Sequence, residues 1–296
     1  MVIDFRSRPP FGAFASGTAL FPRKTDLDFD NPMLVPALNK NSGKMESARK
    51  CDMGLYFEEM AEAGIDLCVV HGRQTKTEGY VPNEDIASLL DKYPDRFIGF
   101  GALDLDCQEQ GRRERIKKEI RRCKAWGFKG ISLEPGYCLD PMYFDDERLE
   151  VVYETCLEEK MLVSLTSSIF VGPDMSYTDP VRIQRVANRY PELTIAVDHG
   201  CWPYVAGILG AAMVCPNLYL YPDFYGYMPD MPFGGEFVKA ANSYLEYRFL
   251  FGSGYPIRSM IQAVRQFCSQ PFRPEIMENL MCNNAKRLLG LDEALN

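Results

Sequence analysis

Histidine is nearly absent from this chain: 296 residues contain two, His71 and His199. A hydrolytic zinc centre takes two or more imidazoles beside a carboxylate, so two isolated histidines argue against one. Paired cysteines are lacking as well. The ten cysteines include no C-x-x-C pair and no framework spacing, which excludes a disulfide scaffold and predicts a reducing, cytoplasmic location. No apolar run reaches the ~20 residues that span a bilayer, and no basic region followed by an apolar one opens the chain, so neither a membrane partner nor a signal peptide is expected. A basic face is missing too. Lys and Arg number 33 against 41 Asp and Glu, a formal charge of −8 with the two signs well mixed, and nucleic acid is excluded as a partner. The most basic stretch, Arg112 to Lys124, is broken by Glu114 and Glu119 and reads as the wet face of an amphipathic helix. Finally, no G-x-G-x-x-G follows the first strand-like run, which removes the main reason to expect a dinucleotide fold.

What is present is a regular alternation. Eight short apolar runs appear in order: Val2 to Phe5, Asp66 to Val70, Phe97 to Ala102, Gly130 to Leu133, Leu162 to Leu165, Leu193 to Val197, Leu218 to Tyr221 and Arg248 to Phe251. Helix-compatible segments fall between most of them, among them Gly54 to Ala63, Asn83 to Lys92, Gln108 to Trp126, Asp146 to Glu159, Asp179 to Tyr190 and Ser259 to Cys268. Strands alternating with helices specify a parallel sheet, and a count of eight favours a closed barrel. The predicted fold is therefore α/β, a single (β/α)8 TIM barrel over residues 1–296 with a long insertion after the first strand. That insertion, Pro9 to Lys50, is rich in Pro, Gly, Asn and Ser and is placed near the barrel mouth as a lid or partner contact. A second irregular stretch, Pro222 to Gly235, carries Tyr225, Tyr227, Met228, Met231 and Phe233, which suit an apolar wall over the mouth or a subunit contact. The apolar content of these two segments predicts a homodimer.

Barrel chemistry collects just past the strands' C-terminal ends. Those positions hold Arg6 and Arg8, His71 and Arg73, Asp104, Glu134, Thr166 to Ser168, Asp198 and His199, Tyr221 and Asp223, and Ser253 to Pro256. Guanidinium groups give planar, bidentate donors to a carboxylate, so the combination suits a small anionic or carboxylated substrate. Alternation along a strand places Asp198 and His199 on opposite sides and predicts no dyad between them. Thr166, Ser167 and Ser168 lack a local histidine and a nucleophile-elbow glycine pattern, which makes Thr166 a hydrogen-bonding residue and not a nucleophile.

These residues sit in a pattern that resembles the amidohydrolase superfamily, in the amidohydrolase-related branch of aminocarboxymuconate semialdehyde decarboxylase, aromatic-acid decarboxylases and pyrone-dicarboxylate lactonase. The marks run nearly end to end: Ile3-Asp4, Gly127-Phe128-Lys129-Gly130-Ile131-Ser132-Leu133, Arg189-Tyr190-Pro191-Glu192-Leu193 leading to Asp198-His199-Gly200, Phe251-Gly252-Ser253-Gly254-Tyr255-Pro256, and Asn284-Ala285-Lys286-Arg287-Leu288-Leu289-Gly290. The resemblance implies a first strand ending in Asp-x-His-x-His, and here Arg6 and Arg8 stand where the histidines belong. The fifth strand's histidine corresponds to Thr166 and the eighth strand's aspartate to Gly254. All four implied metal-ligand positions are changed, and His199 of the sixth strand is the one matching functional residue.

The expectation is an enzyme without metal or other cofactor, in which arginine keeps positive potential where a cation was held. His199, Glu134 and Arg6 are the expected catalytic residues, with Glu134 either a base or the group that orients Arg6. Arg8, His71, Arg73, Thr166, Tyr221 and Tyr255 are expected to contact substrate, with Arg8 open to being turned away by Pro9-Pro10. Hydrolysis of a small cyclic ester or amide, decarboxylation of a small unsaturated or aromatic acid, and an inactive barrel that keeps a ligand pocket or structural role all remain open. A pocket enclosed by Arg6, His199 and Glu134 would favour the enzyme, and Arg6 paired to Glu134 in a filled pocket the inactive barrel.

Overall fold

The computed structural model describes residues 1–16, 45–107 and 110–291. Most of the long insertion after the first strand, residues 17–44, lies outside the described residues. Seven parallel strands follow one another around the sheet in chain order: β1 (Ile3–Ser7), β2 (Leu67–His71), β3 (Phe97–Gly101), β4 (Gly130–Leu133), β5 (Leu162–Thr166), β6 (Ile195–Asp198) and β7 (Leu218–Tyr221). Helices alternate with them, and no helix among the described residues is long and apolar enough to cross a membrane.

The eighth run, residues 248–251, was expected as a strand and builds no ladder. It still closes the barrel. Leu220 N donates to Arg248 O and Leu250 N to Leu220 O, each at 2.9 Å, on the β7 side, and Phe5 N donates to Phe251 O at 2.9 Å on the β1 side. Only the single bridges Leu220 to Phe249 and Ser7 to Tyr255 form, because the donors that would extend a ladder are turned elsewhere. Phe251 N bonds Leu280 O at 3.1 Å, and Ser253 gives its N–H (2.7 Å) and its hydroxyl (2.6 Å) to the two oxygens of Asp4. A side chain from β1 thus adds to the backbone bonds of this seam, which include Gly254 N to Arg6 O at 3.2 Å and Arg8 N to Tyr255 O at 3.1 Å. Full burial raises the Asp4 carboxyl to a pKa of about 6.

Two apolar layers fix the strands. One is the barrel interior, where Ile3, Phe5, Val69, Ile98, Phe100 and Tyr221 meet, and the other lies between strands and helices. Strands buried on both faces read in sequence as short continuous apolar runs, which is why their positions were legible. Helix starts follow capping chemistry: Asp52 accepts from Leu55 N, Asp179 from Val181 N with Pro180 in the first turn, and Ser259 from Gln262 N. The region 222–235 is partly helical, over Phe224–Tyr227. Tyr225, Tyr227 and Met228 are buried, whereas Phe233 is exposed.

Glycine at 130 is required by packing. A Cβ there would stand 2.6 Å from Phe100 Cε2 and 2.8 Å from the Leu162 carbonyl oxygen, a backbone atom of the neighbouring strand that cannot step aside. Gly130→Ala is expected to lower stability by about 1–3 kcal/mol, read as an earlier urea midpoint with an unchanged slope.

Candidate active site

Three arginines enter the mouth from the ends of β1 and β2. The β1–β2 register slips between Asp4 and Ser7, an irregularity that re-aims side chains. Phe5 and Arg6 are consecutive, yet both serve the inside of the barrel: Phe5 packs on His71, Phe100 and Tyr221, and Arg6 reaches Asp198. Arg6 Nη1 stands 2.8 Å from Asp198 Oδ2, and Nη2 stands 3.8 Å from Glu134 Oε1.

Glu134, expected as a base or as the orienter of Arg6, is held instead by the other two arginines. Arg73 grips it through Nε at 2.8 Å and Nη2 at 2.9 Å, and Arg8 Nη2 adds a third bond at 2.9 Å. Burial pushes the carboxyl up, but Arg73 and Arg8 together hold it well below the ordinary range. A carboxylate so tied is a poor proton acceptor, so the base assignment is corrected to an anchor. Pro9-Pro10 does not turn Arg8 out of the site. Its Nε bonds the His71 carbonyl at 3.0 Å and its Nη2 the Gly72 carbonyl at 3.3 Å. Arg6 and Glu134 are therefore not each other's principal partner.

The expectation that Asp198 and His199 diverge is also overturned. His199 Nε2 lies 3.4 Å from Asp198 Oδ2, while Nδ1 lies 2.7 Å from Asp223 Oδ2. Strand alternation stops at Asp198 because His199, Gly200 and Cys201 take positive φ in succession (59°, 57° and 52°), and the left-handed turn swings the imidazole back over the strand end. Ser167 holds the turn, donating to Asp198 O at 2.5 Å and accepting from Cys201 N at 2.9 Å. Phe224 and Tyr225 wall the ring at 5.7 and 5.8 Å between centroids, and burial lowers its pKa to about 4. His199 is neutral at pH 7.

Of the expected substrate contacts, Thr166 donates to Asp198 Oδ2 at 3.3 Å. His71 is fully buried below the mouth, with Nε2 2.8 Å from the Phe5 carbonyl and its ring against Phe100. Burial, with Arg6 and Arg8 nearby, keeps it neutral. Tyr221 lies in the barrel interior, its hydroxyl on Ser164. Tyr255 packs on Tyr56 and bonds Ser47 at 2.7 Å, on the helix side. These three are packing residues, because a ring enclosed on all sides has no face left for substrate.

The residue that sequence reasoning did not select is Asp223. It follows Pro222 at the end of β7 with φ 43°, fully buried, and a Cβ added to Gly254 would lie 3.5 Å from its Oδ2. The signal was an acid two residues past the end of β7, beside a neighbouring run that leads to Gly254 with no acid of its own. The contacts at 2.7 and 2.8 Å are close but off the N–H line. Arg6 Nη1, Asp198 Oδ1, His199 Nδ1 and both Asp223 oxygens are buried without an aligned hydrogen-bond partner. Buried polar groups are ordinarily paired, and here the unpaired ones adjoin one another.

The amidohydrolase profile matches residues 48–291. A TIM-barrel protein of uncharacterised function from Bordetella bronchiseptica is 35% identical, with a TM-score of 0.87 over 98% of both chains. Similarity of fold extends to 2,6-dihydroxybenzoate decarboxylase from Rhizobium (16% identity, TM-score 0.67, 98% of this chain and 99% of that one). It extends also to 5-carboxyvanillate decarboxylase from Novosphingobium aromaticivorans, solved with manganese and a nitrobenzoic acid (18%, TM-score 0.67, 98% and 97%). No match is found among curated protein sequences.

Removing the Glu134 charge leaves Arg8 and Arg73 buried against each other. Glu134→Gln is expected to cost about 3–5 kcal/mol in equilibrium denaturation at pH 7. Because the native carboxyl is held low, its contribution is complete at neutral pH and fades only as acid protonates it. The difference between variant and wild type should shrink at low pH.

Proposed function

Since the chain belongs to the amidohydrolase family, we propose that it is an enzyme acting on a small carboxylated substrate through a site in which arginine replaces the metal ion. The observation that carries this is the set of unpaired buried atoms around Arg6, Asp198, His199 and Asp223, which a substrate carbonyl, carboxylate or water would complete.

The residues present do not fit the ion found in the manganese-bound relative. Arg6, Arg8, Thr166 and Gly254 stand where the family resemblance implies the four ligands, and they offer neither imidazole nor carboxylate. Asp198, His199 and Asp223 each bring one donor atom within 4.8 Å of the others, but the cluster holds a single imidazole and one of its carboxylates is already taken by a cation. Arg6 already stands against Asp198 at 2.8 Å, and its fixed charge repels a second cation.

In the reading we favour, the substrate is a cyclic ester or amide bearing a carboxylate. Arg6 stabilises charge developing on the carbonyl oxygen, and neutral His199 accepts the proton of attacking water. A decarboxylase of a small aromatic or unsaturated acid is the second reading, supported by the two decarboxylases that share the fold. There the arginines orient the departing carboxylate and His199 returns the proton to carbon. As an oligomer, we infer a homodimer, checked by sedimentation mass.

Hydrolysis is tested with a 2-pyrone carboxylate, by proton release, and decarboxylation with 2,6-dihydroxybenzoate and 5-carboxyvanillate, by carbon dioxide release. Turnover should survive chelators without change, and Arg6→Met should lose about 10²–10³ in kcat. Activity that disappears with chelator and returns with manganese or zinc would overturn the proposal.

A further inference from the structure

We propose that Asp223 is the proton donor of this site, and that His199 hands it the proton taken from water, so that an acid from the end of β7 serves where the last run offers only Gly254. This rests on the reading of the site as an anion-handling enzyme centre and names the residue that moves the proton.

Position comes first. The backbone at Asp223 is held at φ 43° and ψ −130°, a conformation unfavourable for any residue but glycine. A non-glycine is kept there while the carboxyl occupies the space above Gly254, where a Cβ would come within 3.5 Å of Oδ2 and 3.1 Å of Phe224. Strain of this kind persists where the side chain's placement matters. Its carboxyl faces His199 Nδ1 at 2.7 Å, and neither oxygen has a well-aligned partner, its contacts with Asp198 and with the Phe224 and Tyr225 backbone being looser.

Charge comes second. The groups facing Asp223 are Asp198 from β6 and His199 from the turn after it, Asp4 and Arg6 from β1, Tyr221 from β7, Tyr225 and Tyr227 from the short helix that follows, and Arg258 beyond it. Burial raises the Asp198 carboxyl as well, but Arg6 stands against it at 2.8 Å, so Asp198 is the carboxyl of the two with the closer cation. Two buried carboxyls so close do not both ionise beside one guanidinium. Burial raises Asp223 well above the ordinary carboxylate range against the pull of Arg6.

In hydrolysis the balance is as follows. Water adds to the carbonyl carbon, and its proton passes to His199. The bond to the leaving oxygen breaks, and that oxygen takes the Asp223 proton. His199 then returns its proton to the Asp223 carboxylate, and the enzyme is restored with one water consumed.

The test begins with infrared spectroscopy of wild type at pH 7, which needs no variant. A buried carboxylic-acid C=O band should be present, lost in Asp223→Asn and kept in Asp4→Asn. Thermal unfolding gives a second readout. A carboxyl whose folded pKa is raised favours folding in acid and loses that contribution as pH rises, so Asp223→Asn should melt above wild type at pH 8, with the gap closing toward pH 4. On whichever of the three test compounds turns over, Asp223→Asn should lose about 10²–10⁴ in kcat, with KM little changed. No band at pH 7, a band that survives Asp223→Asn, or unchanged kcat would each overturn the assignment of Asp223. Silence on all three compounds with the band behaving as expected would instead count against the enzyme reading.

Discussion

Burying three guanidinium groups at one barrel mouth is the constraint from which the rest of the site follows. An unpaired buried charge is prohibitively costly, and a buried pair is tolerable only with good geometry and further hydrogen bonds. Glu134 supplies that geometry to Arg73 and Arg8, while the His71 and Gly72 carbonyls take up the rest of Arg8. Arg6 is left to Asp198, and the contact is close without being aligned. The cluster thus divides into a rigid half built for stability and a loose half with hydrogen-bonding capacity to give.

That division separates residues the sequence places side by side. Glu134 and His199 are both polar groups at strand ends, but one is locked by two arginines and the other leans between two carboxyls. Both histidines are neutral for the same reason, burial with guanidinium nearby, yet only His199 borders the unpaired atoms. A guanidinium at the mouth differs from a bound ion in one respect. Its charge is fixed by covalent structure and does not depend on loading, so the mouth keeps its positive potential from the moment the chain folds.

The barrel was legible because strands buried on both faces announce themselves as short apolar runs, and the boundaries of β4 and β7 agree residue for residue with those runs. The helix Val205–Val214 was harder to read. It has no charged residue, and a segment apolar nearly all round shows no amphipathic period. The site was legible as a set of strand-end positions and not as a set of contacts. That Arg6 would choose Asp198, and Glu134 would take Arg8 and Arg73, depends on partners 61 or more residues apart in sequence being folded to within a few ångströms. The Asp198–His199 contact and the placement of Asp223 depend on positive φ at non-glycine residues, which neither alternation nor residue type signals.

The seam between β7 and β1 bears on how the barrel opens. Every other neighbour pair in the sheet is a ladder, whereas here closure rests on single bridges and on the Asp4–Ser253 pair. Local opening draws on the parts of a structure held by the fewest contacts, and within this sheet the seam is the boundary joined without a ladder. Because Gly254 N bonds the Arg6 carbonyl at 3.2 Å across that seam, any opening of the barrel wall there would also move a residue that builds its mouth.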